Sequence, residues 1–140
     1  DIYLLVLGDG EEFVPISEEN KDCDRIKMIG RVLNPYAYYR ISDVFISASL
    51  SEGLPLAVME GMGCGLTAML SNIESHQEMK KCCDEGVELF SLKQLDELVG
   101  DIETLGKTTV YEKGQKARET VFTYLNAKRM AQEYYEMYSK

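Results

Sequence analysis

Histidine is almost absent from this 140-residue chain: His76 is the only one, and none of the four cysteines (Cys23, Cys64, Cys82, Cys83) stands in C-x-x-C spacing. A zinc knuckle needs paired ligands at short intervals, so no metal is expected. A disulfide framework is not expected either. A chain of this length buries roughly 68–70 % of its unfolded surface and needs no covalent staples. Free thiols point to a reducing, cytoplasmic setting. Apolar runs are short. None approaches the roughly 18 residues of a membrane-crossing helix. The opening DIYLLVLGDG has neither a basic n-region nor a small-residue cleavage site, and it is not expected to be a signal peptide. Positive charge is in deficit, with 15 Lys+Arg against 24 Asp+Glu and a net charge of −9. That balance argues against nucleic acid or an anionic membrane as a partner of the domain as a whole. The deficit lies in residues 1–110, with 9 basic against 20 acidic residues. Residues 111–140 carry 6 against 4, too weak a surplus for a polybasic anchor and in keeping with a solvated helical surface.

Repeats, low-complexity tracts and linkers are missing too, so residues 1–140 read as one domain. Within it, short apolar runs alternate with helical patterns. IYLLVLG (2–8), RIKMIG (25–30), DVFISAS (43–49), LTAML (66–70) and VELF (87–90) read as strands. PYAYYRI (35–41), LPLAVMEGM (54–62) and SHQEMKKC (75–82) read as helices, while the acidic stretch 11–24 reads as a loop with one helical turn at most. The alternation predicts an α/β fold: a Rossmann-like parallel sheet with helices on both faces. Ser91 is placed to cap an amphipathic helix bearing Leu92, Leu95, Leu98, Val99 and Ile102. Two more helices follow, near 111–122 and 126–139. Met130, Tyr134, Tyr135 and Tyr138 of the last are expected to pack rather than to recognise a ligand.

Chemistry concentrates between Ser47 and Glu78. From Glu52 to Glu74 the only intervening charge is Glu60, on a helix whose stripe of Leu54, Val58 and Met62 is expected to be buried. At about 100° per residue Glu60 lies opposite Val58. A carboxylate among Gly, Ala, Met and Leu is costly to bury without hydrogen-bond donors, and a ligand diol could supply them. Glu52 and Gly53 follow the strand DVFISAS directly. In open parallel sheets ligands bind beyond the carboxyl ends of strands. The helix start after them offers free amides to an anion, and Gly53 allows close backbone approach. A nucleoside diphosphate sugar would use such a set: acceptors for sugar hydroxyls, donors for diphosphate, acceptors for the ribose diol. The same two glutamates read equally as a surface loop acid and an exposed helix residue.

SEGLPLAVMEGMGCG resembles the E-x7-E segment of the retaining glycosyltransferases of family 4 (group 1), which have the GT-B architecture. The likeness runs in order along the chain. LLVLGDGEE resembles the family's strand ending in Gly-Asp-Gly, RIKMIGRV its next strand and turn, and YYRISDVFISASLSEGLP its run into the first glutamate. SNIESHQEM resembles the segment ending in a later Glu, and YYEMYSK the closing Tyr-rich helix. The resemblance implies roles. Glu52 would face the donor sugar, the backbone at Gly53, Leu54 and Leu56 would meet sugar and diphosphate, and Glu60 would bind the ribose. Arg31 and Val32 would lie beside the base, Arg31 stacking on it, although Arg31 also reads as a solvated turn residue. His76 matches no catalytic position of the family and reads as structural or surface. No catalytic residue is assigned, and no metal or cofactor is implied.

Two departures stand out: Ala48 and Thr67 occupy positions where the family usually has proline. The family's diphosphate-clamping Arg and Lys precede the segment that this chain matches. The resemblance therefore implies most of the C-terminal, donor-binding domain of a GT-B enzyme, without its first strand and helix and without the N-terminal acceptor domain. The full-length enzyme would be cytoplasmic or peripheral to the membrane, taking a UDP- or GDP-sugar and a glycan or lipid-linked acceptor in cell-surface polysaccharide synthesis. By itself this chain is expected to be inactive. Two other readings remain: a GT-B-like sugar-nucleotide epimerase, and a non-enzymatic receiver-like domain using Asp9, Glu11 and Glu12.

Overall fold

A computed structural model describes residues 2–139; Asp1 and Lys140, the latter ending the YYEMYSK run, lie outside the described residues. The chain divides into two compact units, with the boundary between Tyr38 and Tyr39. In the first, β1 (Leu4–Leu7) and β2 (Ile26–Gly30) pair in parallel, Leu4 opposite Ile26, around α1 (Phe13–Glu19). The helix α1 corrects the loop expected at 11–24. Acidic residues obscured its pattern, and Pro15 falls in its first turn, where a missing N–H costs little. Asn20 ends it, with both its backbone and side-chain nitrogens donating to the Ile16 carbonyl. Gly30 closes β2 at φ +78°, a left-handed conformation that a side chain would strain. The short helix α2 (Tyr36–Tyr39) spans the boundary.

The second unit holds β3 (Val44–Ser47), β4 (Thr67–Ser71) and β5 (Val87–Phe90), all parallel in that spatial order. Each of the five β4 residues is at most 1 % exposed, so both faces of this central strand are covered. Around it lie α3 (Leu56–Gly63), α4 (Glu74–Cys82), α5 (Leu95–Thr104), α6 (Lys107–Tyr124) and α7 (Ala127–Tyr138). Val58 and Met62 of α3, Ala68 and Leu70 of β4, Met79 and Cys83, Val87, and Ala117 of α6 form one core cluster. Helix α6 packs on α3 and β4, and α4 packs on β5. The four cysteines are unpaired.

Close backbone approach fastens α6 to the sheet. A Cβ at Gly114 would overlap the carbonyl of Gly65, which itself has φ +90°. Beside that contact, the buried Thr67 hydroxyl donates to the Val110 carbonyl at 2.7 Å. Thr67→Val should cost about 1 kcal/mol, because a buried carbonyl loses its donor while volume is kept. Urea unfolding checks this, and an unchanged midpoint would show the bond to contribute nothing. Lys80 and Lys113 share Glu88 between them, while Lys80 also donates to the Asp84 and Val87 carbonyls, tying α4, β5 and α6 together.

Three helical expectations need correction. Helix α3 begins at Leu56, not Leu54. The residue before a proline disfavours helical ψ, so Leu54 stays in the loop, 64 % exposed, and the buried stripe is Val58, Gly61 and Met62. Ser91 does not cap α5. Its hydroxyl and carbonyl accept from Lys93 N and Gln94 N in a preceding turn, and Gln94 is the cap residue. The α7 residues Met130, Tyr134, Tyr135 and Tyr138 are all more than half exposed; Tyr134 and Tyr138 stack on each other, with ring centroids 6.2 Å apart.

Candidate donor-binding site

Phe45 of β3 sets how closely α3 can approach the strand. Its ring lies against Gly61, where a Cβ would come within 2.6 Å of it, so α3 can press closely on β3. The β3–α3 connection, residues 48–55, emerges at the carboxyl end of the strand. Glu52 sits on it, exposed. Its carboxylate accepts a 2.6 Å hydrogen bond from Ser49 Oγ, which in turn accepts from Ser47 Oγ at 3.2 Å. The space above Gly53 is open, with nothing within 4 Å of where a Cβ would stand. Pro55 is buried and is the cap residue before α3, and no side chain caps the helix. The Leu56 amide donates to the Leu54 carbonyl at 2.9 Å, and the amides after it in the first turn have no side-chain acceptor, the state in which a helix N-terminus can receive an anion.

Glu60 lies on the second turn of α3, half-buried. Its carboxylate receives no hydrogen bond and no ion pair among the described residues, although the rest of the helix is uncharged. The sequence-based reading placed Glu60 opposite Val58, and that arrangement holds: Val58 is 1 % exposed and points into the core. Glu52, Gly53, Leu54, Leu56 and Glu60 all belong to this one connection and helix. Arg31 and Val32 belong to the first unit, directly after the left-handed Gly30, Arg31 exposed and Val32 half-buried. Asp9, Glu11 and Glu12 do not gather. Among the described residues no group of three or more His, Cys, Asp or Glu could hold a metal ion, and no helix is long and apolar enough to cross a membrane.

Sequence reasoning overlooked part of the site. Ser71, at the end of β4, donates from its hydroxyl to the Ser49 carbonyl at 2.6 Å. His76, fully buried in α4, approaches the Ser71 carbonyl at 2.8 Å and its hydroxyl at 3.2 Å through Nδ1. Of the two roles left open for His76, the structural one is correct. Small hydroxyl residues at the ends of two neighbouring strands were the available signal, but their pairing spans 22 residues.

Residues 1–107 match the family model described as glycosyl transferases group 1. Two relatives align with 99 % of the chain: N-acetyl-alpha-D-glucosaminyl L-malate synthase of Bacillus anthracis at 26 % identity, and the O-antigen biosynthesis glycosyltransferase WclY of Escherichia coli at 28 %. The chain spans 37 % and 39 % of their lengths. The solved structure of TarM superposes over 99 % of the chain and 29 % of its own, with a TM-score of 0.85 at 16 % identity. A likeness so low in identity establishes the fold, the parallel α/β arrangement of GT-B enzymes.

Proposed function

The chain belongs to the group 1 glycosyl transferases, and from that membership we propose that it is the nucleoside diphosphate sugar-binding portion of a larger enzyme. The observation carrying this reading is Glu60: a half-buried carboxylate with no protein partner among the described residues, one turn beyond an uncapped helix start. Two hydroxyls of a ribose diol would satisfy it with charge-assisted hydrogen bonds. In this reading the backbone at Gly53, Leu54 and Leu56 meets the sugar and diphosphate, the Leu56 amide exchanging its bond to the Leu54 carbonyl for one to the ligand, and Glu52 accepts from the sugar hydroxyls. Arg31 and Val32 flank the base.

The whole enzyme would transfer the sugar from a UDP- or GDP-linked donor, with retention of configuration, to a glycan or lipid-linked acceptor. Its setting would be cell-surface polysaccharide synthesis at the cytoplasmic side. The chain spans about two fifths of its relatives' length, which supports an acceptor-binding domain and the diphosphate-clamping cations being supplied from elsewhere in the enzyme. The chain's own residues contribute orientation: two carboxylates and a row of amides fix the donor, and the amides stabilise charge developing on the departing diphosphate. No metal is required for that role.

Titration with UDP, GDP and ADP, followed through backbone amide NMR, tests the reading. Binding with Kd on the order of millimolar, with shifts confined to residues 31–32 and 52–60, is the expected result, and the best of the three nucleotides names the base. Absence of binding here and in the full-length enzyme would overturn it.

A further inference from the structure

Glu52 stands on an exposed loop, where a glutamate left to itself would spread over many rotamers and lose entropy on binding a ligand. Its carboxylate is instead moored. Ser47 Oγ donates to Ser49 Oγ, so the single proton of the Ser49 hydroxyl is free for Glu52, 2.6 Å away. Ser49 is held in turn, since its carbonyl accepts the one proton of Ser71 Oγ, also at 2.6 Å. With that proton committed, the contacts between His76 Nδ1 and Ser71 have one consistent direction. Nδ1–H donates, shared between the Ser71 carbonyl at 2.8 Å and its hydroxyl at 3.2 Å. His76 Nε2 is buried and has no partner among the described residues. It therefore carries the lone pair, because an N–H there would be buried without an acceptor. Three groups thus donate in one direction, from the buried first turn of α4, across the ends of β4 and β3, to an exposed carboxylate.

We propose that Ser49, Ser71 and His76 are positioning residues for Glu52, fixing its carboxylate to receive the hydroxyls of the donor's sugar. The inference rests on the donor-binding reading and adds a means by which the chain distinguishes a sugar-bearing nucleotide from the bare one. His76 acts only through Ser71 and touches no ligand. Ser71 acts likewise only through Ser49, so its loss should act on the sugar alone.

The first measurement needs no ligand. Side-chain NMR couplings about the Glu52 Cα–Cβ bond should report one rotamer in the unaltered chain and averaging in Ser49→Ala, Ser71→Ala and His76→Gln. His76→Asn, whose amide N–H can take the place of Nδ1–H, should restore the single rotamer. The second compares UDP-N-acetylglucosamine, UDP-galactose and GDP-mannose with their bare nucleoside diphosphates. Ser71→Ala and His76→Gln should weaken the best nucleotide sugar about five- to tenfold and leave its nucleoside diphosphate unchanged, again with rescue by His76→Asn. Equal weakening of both ligands would mark His76 and Ser71 as structural only. A rotamer already averaged in the unaltered chain, or unmoved by Ser49→Ala, would overturn the mooring whatever the chain binds. Couplings that behave as expected while no nucleotide sugar binds would instead overturn the donor reading. Ser49 is half-buried, so Ser49→Ala keeps the test available should a Ser71 or His76 variant fail to fold.

Discussion

Gly114→Ala should destabilise the chain by about 3 kcal/mol and lower its melting temperature by about 10 °C. Alanine would ordinarily stabilise a helix interior by about 1 kcal/mol over glycine, so the steric effect must exceed that gain. It does so because the added carbon meets backbone, not a movable side chain. It would overlap the Gly65 carbonyl oxygen, with the carbonyl carbon at 2.9 Å and Thr67 N at 3.4 Å. Helix α6 can relieve the overlap only by lifting off β4, which breaks the Thr67–Val110 hydrogen bond and loosens the fully buried Ala117. Gly100 in α5 is the control. Nothing lies within 4 Å of a Cβ built there, so Gly100→Ala should raise stability by up to about 1 kcal/mol. Thermal unfolding by circular dichroism separates the two. A Gly114→Ala chain as stable as the parent would show that α6 is not seated on the sheet as described.

In the full-length enzyme Glu60→Ala should weaken the preferred nucleoside diphosphate by roughly 30- to 100-fold, and Glu60→Gln by roughly tenfold. Two charge-assisted hydrogen bonds to a diol are lost in the first case, while the second keeps one neutral acceptor. Stability should hardly change in either variant, since the carboxylate satisfies no protein donor among the described residues. Calorimetric titration with the 2′-deoxynucleotide sharpens the test. Removing one ribose hydroxyl should weaken binding to the parent and make no difference to Glu60→Ala. If the deoxy ligand loses as much affinity in both proteins, Glu60 does not hold the ribose.

Much of this was legible in the sequence, and what was not has physical reasons. VELF became β5 with its bounds intact, because the apolar run is set off by Gly86, whose Cβ would strike the backbone of Ala117. The E-x7-E spacing placed Glu52 at a strand end and Glu60 on the following helix, since both positions follow from the strand and the helical period alone. The start of α3 was misjudged by two residues because Pro55 restricts its predecessor. Helix α1 was hidden because none of its residues is fully buried, which leaves no clear apolar period to read. In α5 the leucine spacing was read correctly from Leu95 onward, while Leu92, expected on the helix, lies in the turn before it; Leu95 and Val99 remain 53 % exposed, because a period shows which face is apolar, not whether anything covers it. The mooring of Glu52 runs through the main-chain oxygen of Ser49, and no pattern of side chains announces a carbonyl.

That mooring gives the two acids different masters. Glu52 answers to hydroxyls at the ends of β3 and β4, while Glu60 rides on α3 and its glycine contact with Phe45. Under the donor-binding reading, changes among the hydroxyls at the ends of β3 and β4 would alter the choice of sugar and leave untouched the hold on the ribose, which every nucleotide shares.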